Sequence, residues 1–325
     1  MEDSLFSRDM AAATNIAQSN DFHGDDPGLQ EVFDWFRMQP DLRRRFGQAV
    51  RQSIDEVLDG QRTGRFDIDE LEKTEKTYLG TKVEIVLRSE FELGRGGSMD
   101  YSVIGHEVDS KFTIGENWTI PGEANGHICL LAKANDHEAS YKVGLLRIQN
   151  NLLNLGRNRD GKGTLSAAGR SAVKWLVPDG KLPENILLSL PEEERSAILK
   201  PSARHRGAGN GGQSRTNELF RRVQGRLVNR NTVLTVARQD DSPKRVRDAR
   251  IHLRPEGIMI LGHMKQHPQI ARDLGLPVPD KGSWVAVRVG EVTAADSSRR
   301  TTRIDGAHYA IWREGDGDYA APAAY

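Results

Sequence analysis

Apolar positions recur along this chain at two different spacings, and the change from one to the other divides it. Leu29, Val32, Phe33 and Phe36 fall on one face of a helix over residues 29–37. Asp41 has the chemistry to cap a second helix running to about Leu58, with Gly60 as its stop. A third helical pattern, from about Asp67 to Phe91, sets Leu71, Tyr78, Leu79, Val83 and Leu87 on its apolar face and Glu84 within its last two turns. Gly94, Gly96 and Gly97 end it. Alternation then takes over. Residues 100–104 and 107–114 predict two strands around a tight turn at Gly105-His106, and residues 127–134 and 142–148 predict two more. Thr164 is a good N-cap for a helix reaching Trp175. These elements predict a compact α/β unit over residues 26–176, preceded by a flexible tail at 1–25.

Val177-Pro-Asp-Gly-Lys-Leu-Pro183 concentrates Pro and Gly between patterned segments and predicts a linker over 177–185. The pattern restarts beyond it. Residues 191–200 predict a short helix with an acidic first turn, and residues 207–212 a flexible glycine loop. Residues 216–227 predict a basic amphipathic helix. After a break at 228–230, Asn231 caps a second helix to about Gln239. Strand-like runs follow at 258–261, 284–289 and 308–312. Helix, break, helix and then strands resembles a helix-turn-helix domain of the winged, catabolite-activator-like type over 186–325, with its second helix in the major groove.

Composition narrows the class. With 37% hydrophobic and 28% charged residues the chain reads as a soluble globular protein. No run approaches the roughly 20 apolar residues of a membrane span, and residues 1–20 lack the apolar core of a secretory signal. Cys129 is the sole cysteine, so no internal disulfide forms, and a cytoplasmic location is expected. The formal net charge of zero conceals a segregation. Residues 1–59 hold twelve Asp/Glu and six Lys/Arg, whereas residues 195–254 hold fifteen Lys/Arg and four Asp/Glu, an excess of eleven positive charges (15 − 4). Such a segment attracts a phosphate backbone. Arg215, Arg221, Arg222, Arg226, Lys244, Arg245 and Arg247 are its candidate DNA contacts.

Candidate chemistry lies in the hairpin. Phosphodiester hydrolysis needs a cation, an activated water and in-line geometry. Asp100 begins one strand, and Asp109 and Lys111 lie two apart on its partner, so their side chains share a face. Val108, Phe112 and Ile114 fill the opposite phase. Hard cations take carboxylate and carbonyl oxygens, and Ser110 leaves its carbonyl free as a further ligand. Two weaker signals fall short of a site. Gly156-Arg-Asn-Arg-Asp-Gly-Lys-Gly-Thr164 approaches a phosphate loop but has Gly163 where Ser or Thr must follow the lysine, so no nucleotide cofactor is expected. His127 beside Cys129 lacks the further ligands zinc needs and reads as a buried strand residue.

Several stretches extend the picture: Asp59-Gly-Gln-Arg-Thr-Gly-Arg65, Lys73-Thr-Glu-Lys-Thr77, Val83-Glu-Ile85, Asp109-Ser-Lys-Phe112, Gly126-His-Ile-Cys-Leu130, Asn217-Glu-Leu-Phe-Arg-Arg-Val223, Gln239-Asp-Asp241 with Lys244-Arg-Val246, Leu253-Arg-Pro-Glu-Gly257 with Ile260-Leu-Gly-His263, and Leu274-Gly-Leu-Pro-Val-Pro279. In these, collinear from about Leu58 to Pro279, the chain resembles type II restriction endonucleases of the NaeI family. The resemblance implies an α/β (α+β) restriction-endonuclease-like core with a mixed sheet and a PD-(D/E)xK site. In that site Asp100, Asp109 and Glu84 hold Mg²⁺ and Lys111 is the catalytic lysine; Met99 stands where the motif has proline. It further implies a homodimer that cuts double-stranded DNA to leave 5′-phosphate ends. A second copy of the site is bound at the C-terminal domain as effector. A GC-rich palindrome is the expected target. The alternatives are a non-cleaving DNA-binding regulator and a strand-nicking repair endonuclease.

Overall fold

Residues 26–200, 211–293, 298–323 and 325 are described by the computed structural model. The tail read at 1–25, and residues 207–210 of the glycine loop, lie outside them. Helix α1 (Pro27–Arg37) starts at Asp26, whose Oδ1 accepts from the Leu29 amide (3.0 Å) while Arg147 donates to both of its oxygens (2.5 and 2.9 Å). Helix α2 (Leu42–Leu58) follows Asp41, but Asp41 has φ 52° and makes no side-chain cap; its carboxylate pairs with Arg44 instead. Gly60 does not stop this helix. Asp59 (φ 46°) turns the chain, and Gly60 opens the short α3 (Gly60–Thr63), where an added Cβ would stand 2.6 Å from the Arg65 carbonyl and collide with Thr235. The third helical pattern divides into a 3-10 turn, Ile68–Glu70, and α4 (Lys73–Glu90). Leu79, Val83 and Leu87 are buried. Tyr78, expected among them, is 51% exposed, because it stands one residue, about 100°, off the buried stripe.

The remaining elements of the first half are β1 (Gly94–Arg95), β2 (Tyr101–Val103), β3 (His106–Thr113), β4 (Thr119–Ile120), β5 (Ile128–Asn135), β6 (Ser140–Arg147), β7 (Gly163–Thr164), α5 (Ala167–Ser171) and β8 (Lys174–Lys181). Six of the strands form one sheet in the order β1-β2-β3-β5-β6-β8. The sheet is mixed: β3 and β5 are parallel and every other neighbouring pair is antiparallel. The hairpin turn falls at Ile104-Gly105, one residue earlier than expected, with both residues at positive φ as a two-residue hairpin requires. One sheet face (Val108, Ile128, Leu130, Val143, Leu145) packs on α1, α2 and α4. The other (Cys129, Leu131, Leu146) packs on Trp118, Ile120, Leu153, Leu165 and Val173.

Two sequence expectations fail at the far edge of this sheet. Thr164 belongs to β7; Ser166 caps the five-residue α5 by accepting from the Gly169 amide (3.1 Å), and Trp175 lies in a strand. Residues 177–181, read as the start of a linker, are part of β8, with Val177 fully buried. Pro178 is tolerated there because β8 is an edge strand and its pairing with β6 shifts register nearby.

Beyond β8 come α6 (Ile186–Ser189), α7 (Glu192–Leu199), α8 (Gly212–Arg222), β9 (Leu227–Asn229), α9 (Arg230–Ala237), α10 (Ser242–Leu253), β10 (Ile258–Leu261), α11 (His267–Leu274), β11 (Ser283–Val292), β12 (Thr301–Ile304) and β13 (Ala307–Ile311). The long β11 pairs antiparallel with β9, β10 and β13, and β12 pairs with β13. The basic helix starts earlier than read, at Gly212, and ends at Arg222. Asn229, not Asn231, caps α9, accepting from the amide and hydroxyl of Thr232 (2.7 and 2.9 Å). Helices α10 and α11 went unread. The two halves meet where α9 packs on α3: Asn231 Nδ2 donates to Asp55 Oδ2 (2.8 Å), and Gln61 reaches Asp240.

Candidate active site

The hairpin β2–β3 and the last turns of α4 bring the four expected residues together. Asp100 immediately precedes β2, and its Oδ2 accepts from the Ser110 amide (2.7 Å). Asp109 and Lys111 share a face of β3, with Lys111 Nζ 2.7 Å from Asp109 Oδ1 and 3.1 Å from the Ser110 carbonyl. Glu84 accepts from Arg88 Nη2 (2.5 Å), and the same Nη2 reaches the Asp100 carbonyl (3.2 Å). The Tyr101 hydroxyl donates to the Glu84 carbonyl (3.0 Å) and lies 3.1 Å from Ser110 Oγ, tying α4 to both strands of the hairpin.

The face carrying Asp109 is less open than the alternation implied. Asp109 is only 6% exposed, and Lys111 is half-buried. Cys129, facing Asp109 across the parallel pair, brings its Sγ to 3.5 Å from Asp109 Oδ2. Burial raises the Asp109 carboxyl above its ordinary value, with Lys111 opposing and the Asp100 carboxylate adding to the rise. Burial followed by the Asp100 charge raises Glu84 as well, against Arg88 and Lys111. Burial and the Asp109 charge push the Cys129 thiol up, so it stays protonated and donates. His127, expected inside a strand, stands half-exposed just before β5.

Hard oxygens from Glu84, Asp100, Asp109 and the Ser110 carbonyl therefore face one region, and burial raises the carboxyls of Glu84 and Asp109. A divalent cation fits this donor set. The three carboxylates are spread rather than closed around a single point. Among the described residues, the one trio of His, Cys, Asp or Glu whose ligand atoms lie within 4.8 Å of one another is Asp67, Asp69 and His137. That trio is a surface cluster in which His137 Nε2 stands 3.3 and 3.2 Å from the Asp67 and Asp69 carboxylates, and Asp67 also caps the 3-10 turn. At the hairpin each acid holds a different donor, namely Arg88, the Ser110 amide or Lys111.

Sequence reasoning passed over three neighbours of the site. Arg88 lies one helical turn after Glu84, a spacing visible in the sequence. Glu107 shares the strand phase of Asp109 and accepts from the amides of Gly97, Ser98 and Met99 (2.8, 2.9 and 2.8 Å), which hold its carboxyl at about 2. Cys129 gave no signal, because only sheet pairing brings it to Asp109.

The expected DNA contacts divide sharply. Arg215 is 5% exposed; its Nε and Nη2 donate to the Val236 and Ala237 carbonyls (2.6 and 2.9 Å), closing the C-terminal end of α9. Arg221 pairs with Glu256 and Glu218, Arg222 with Glu194 and Glu218, and Arg226 with Glu184, so the basic face of α8 is neutralised. Lys244 and Arg247 are exposed on α10, and Arg245 lies half-buried against Gln213. Arg247 also lines a cleft of about 1200 Å³ with Arg230, Arg250, Arg254, Lys265 and Lys281.

A mixed sheet carrying two acids and a lysine on one hairpin, with a third acid on the adjoining helix, is the apparatus of a DNA endonuclease. The model of the family described as restriction endonuclease NaeI matches residues 33–319. The Type II restriction enzyme NaeI of Lentzea aerocolonigenes is 46% identical over 292 residues, 88% of this chain and 90% of that protein. The chain belongs to the NaeI restriction endonuclease family and is a site-specific deoxyribonuclease acting on double-stranded DNA. No helix among the described residues is long and apolar enough to cross a membrane.

Proposed function

We propose that this enzyme cuts both strands of duplex DNA with Mg²⁺ held by Asp100, Asp109, Glu84 and the Ser110 carbonyl. The observation that supports this most is the gathering of those oxygens beside the Lys111 ammonium. A bound Mg²⁺ supplies charge neutralisation at phosphorus and a more acidic water. Lys111, held by Asp109 and the Ser110 carbonyl, keeps its ammonium where it can orient the attacking water and donate to a phosphate oxygen. Departure of the 3′ oxygen leaves a 5′-phosphate. The enzyme works as a cytoplasmic homodimer, with the nuclease domain ending after β8 and the second domain beginning at residue 186.

The second domain takes another copy of the recognition sequence as effector. The order α8, β9, α9, α10, β10, β11, with β9 and β10 on either side of β11, supports a winged-helix reading. It also favours α10 over α9 as the reading helix. Helix α9 is occupied against α3 and Asp55, whereas α10 presents Lys244 and Arg247 beside the basic cleft. Replacing both by Ala should reduce the salt slope of effector-duplex binding by about 2, about one for each phosphate left without its cation, and remove stimulation of cleavage by a second duplex. Arg215→Met should leave that slope unchanged and lower stability by about 1–3 kcal/mol, the cost of leaving buried carbonyls without a donor. A double Ala variant with the wild-type slope would remove α10 from the interface.

A further inference from the structure

We propose that Glu107 is a positioning residue for Asp100, clamping the loop that delivers it to the cation. This rests on the reading that Asp100 helps to hold a divalent cation. Residues 96–100 connect β1 to β2, and Asp100 is the last of them. A loop of this kind has no sheet partner for its amides. Glu107 supplies one from the neighbouring strand: Oε1 accepts from Gly97 N (2.8 Å), and Oε2 accepts from Ser98 N (2.9 Å), Met99 N (2.8 Å) and Ser98 Oγ (3.1 Å).

Three consecutive amides thus converge on one carboxylate. The fit is close: a Cβ on Gly96 would stand 2.9 Å from Glu107 Oε2 and collide with the Met99 carbonyl. The last clamped amide, Met99 N, adjoins Asp100. Asp100 is then held on three sides, by this clamp through its preceding peptide, by Arg88 at its carbonyl and by the Ser110 amide at its carboxylate. Glu107 lies on the same strand phase as Asp109 and Lys111, which would also suit a further ligand. Both of its oxygens are already occupied by amides, and this favours the clamp. Groups that orient ligands from behind typically alter metal affinity by about 10–100-fold when removed.

The test uses the full-length protein as wild type, Glu107→Ala and Glu107→Gln. Three quantities are measured: hydrogen exchange of residues 96–100, Mn²⁺ affinity by calorimetry without DNA, and cleavage at rising Mg²⁺. In Glu107→Ala the Gly97, Ser98 and Met99 amides should exchange faster. Mn²⁺ should bind about tenfold more weakly or worse, and cleavage should recover as Mg²⁺ is raised. Glu107→Gln, which keeps one acceptor oxygen, should fall between, and it decides the matter if Glu107→Ala does not fold. Unchanged Mn²⁺ affinity overturns the proposal. So does a folded variant that stays inactive at every Mg²⁺ concentration, which would make Glu107 a direct contact to cation or DNA. Wild-type protein that binds no Mn²⁺ removes the cation reading itself, a different failure.

Discussion

Asp109→Asn should abolish cleavage while the protein stays folded and binds DNA. The loss should be about 10³-fold or more, the rate equivalent of the several kcal/mol that a properly held cation contributes at phosphorus. The fold should tolerate the change. Burial raises the Asp109 carboxyl above its unfolded value, so its ionised form opposes folding at neutral pH. Stability from such a group is full below the unfolded pKa and declines as pH rises through the folded one. An uncharged amide of the same shape removes that penalty, and the partners it affects are Lys111, which reaches solvent, and the weakly donating Cys129 thiol. Thermal unfolding should therefore move by no more than about 1 kcal/mol in equivalent terms. Single-turnover cleavage, duplex binding in Ca²⁺ and a melting curve check the three parts. An Asn variant that neither folds nor binds would make Asp109 a structural residue.

The largest expected loss of stability comes from Arg51. This guanidinium is 4% exposed and stands between Asp55 Oδ1 (2.7 Å) and Asp136, whose side chain is fully buried. Asp55 in turn accepts from Asn231, and the Asp136 carboxylate lies 3.5 Å from Asn185, so the network spans the junction of the two halves. Arg51→Met fills similar space but leaves one buried and one half-buried carboxylate without a cation, and breaking such a network by removing one partner costs about 3–5 kcal/mol. Burial already raises Asp55 despite Arg51; without the arginine its folded value climbs further. A raised carboxyl stabilises below its unfolded pKa, and the benefit vanishes as pH rises through the folded value. The variant's deficit should accordingly be larger at pH 8 than at pH 5 in urea unfolding. An equal deficit at both would mean that the carboxylates find other partners.

Most of the site was legible because its signals are local. Asp109 and Lys111 are two apart on one strand, Val108, Phe112 and Ile114 stand in the opposite phase, and the hairpin that returns Asp100 to them is marked by Gly105. Glu84 came with the family resemblance, and the structure sets it beside Arg88. Cys129 and the Glu107 clamp were not legible, because they depend on a parallel strand pairing and on a loop folding back over the hairpin. The ion pairing of the basic segment was not legible for a related reason. The acids that neutralise α8 and the following Arg226 are Glu184, Glu194 and Glu256, which stand just outside the basic segment, and Glu218 within it. The charged end of Arg215 turns inward to a helix terminus, which composition does not reveal. In the fold, the Pro178-Asp-Gly180 turn signal sits in an edge strand, where the sheet accepts both proline and an irregular register.

The proposed Glu84, Asp100, Asp109 and Lys111 centre should cut duplex DNA at one sequence with a divalent cation. Its most direct test is digestion of a sequenced plasmid by the wild-type protein, with Mg²⁺ and with EDTA, and sequencing of every new end. The expected result is a set of Mg²⁺-dependent double-strand breaks with 5′-phosphates, all within one short palindrome. Cutting that persists in EDTA, single-strand nicks alone, or ends scattered without a shared sequence would contradict it.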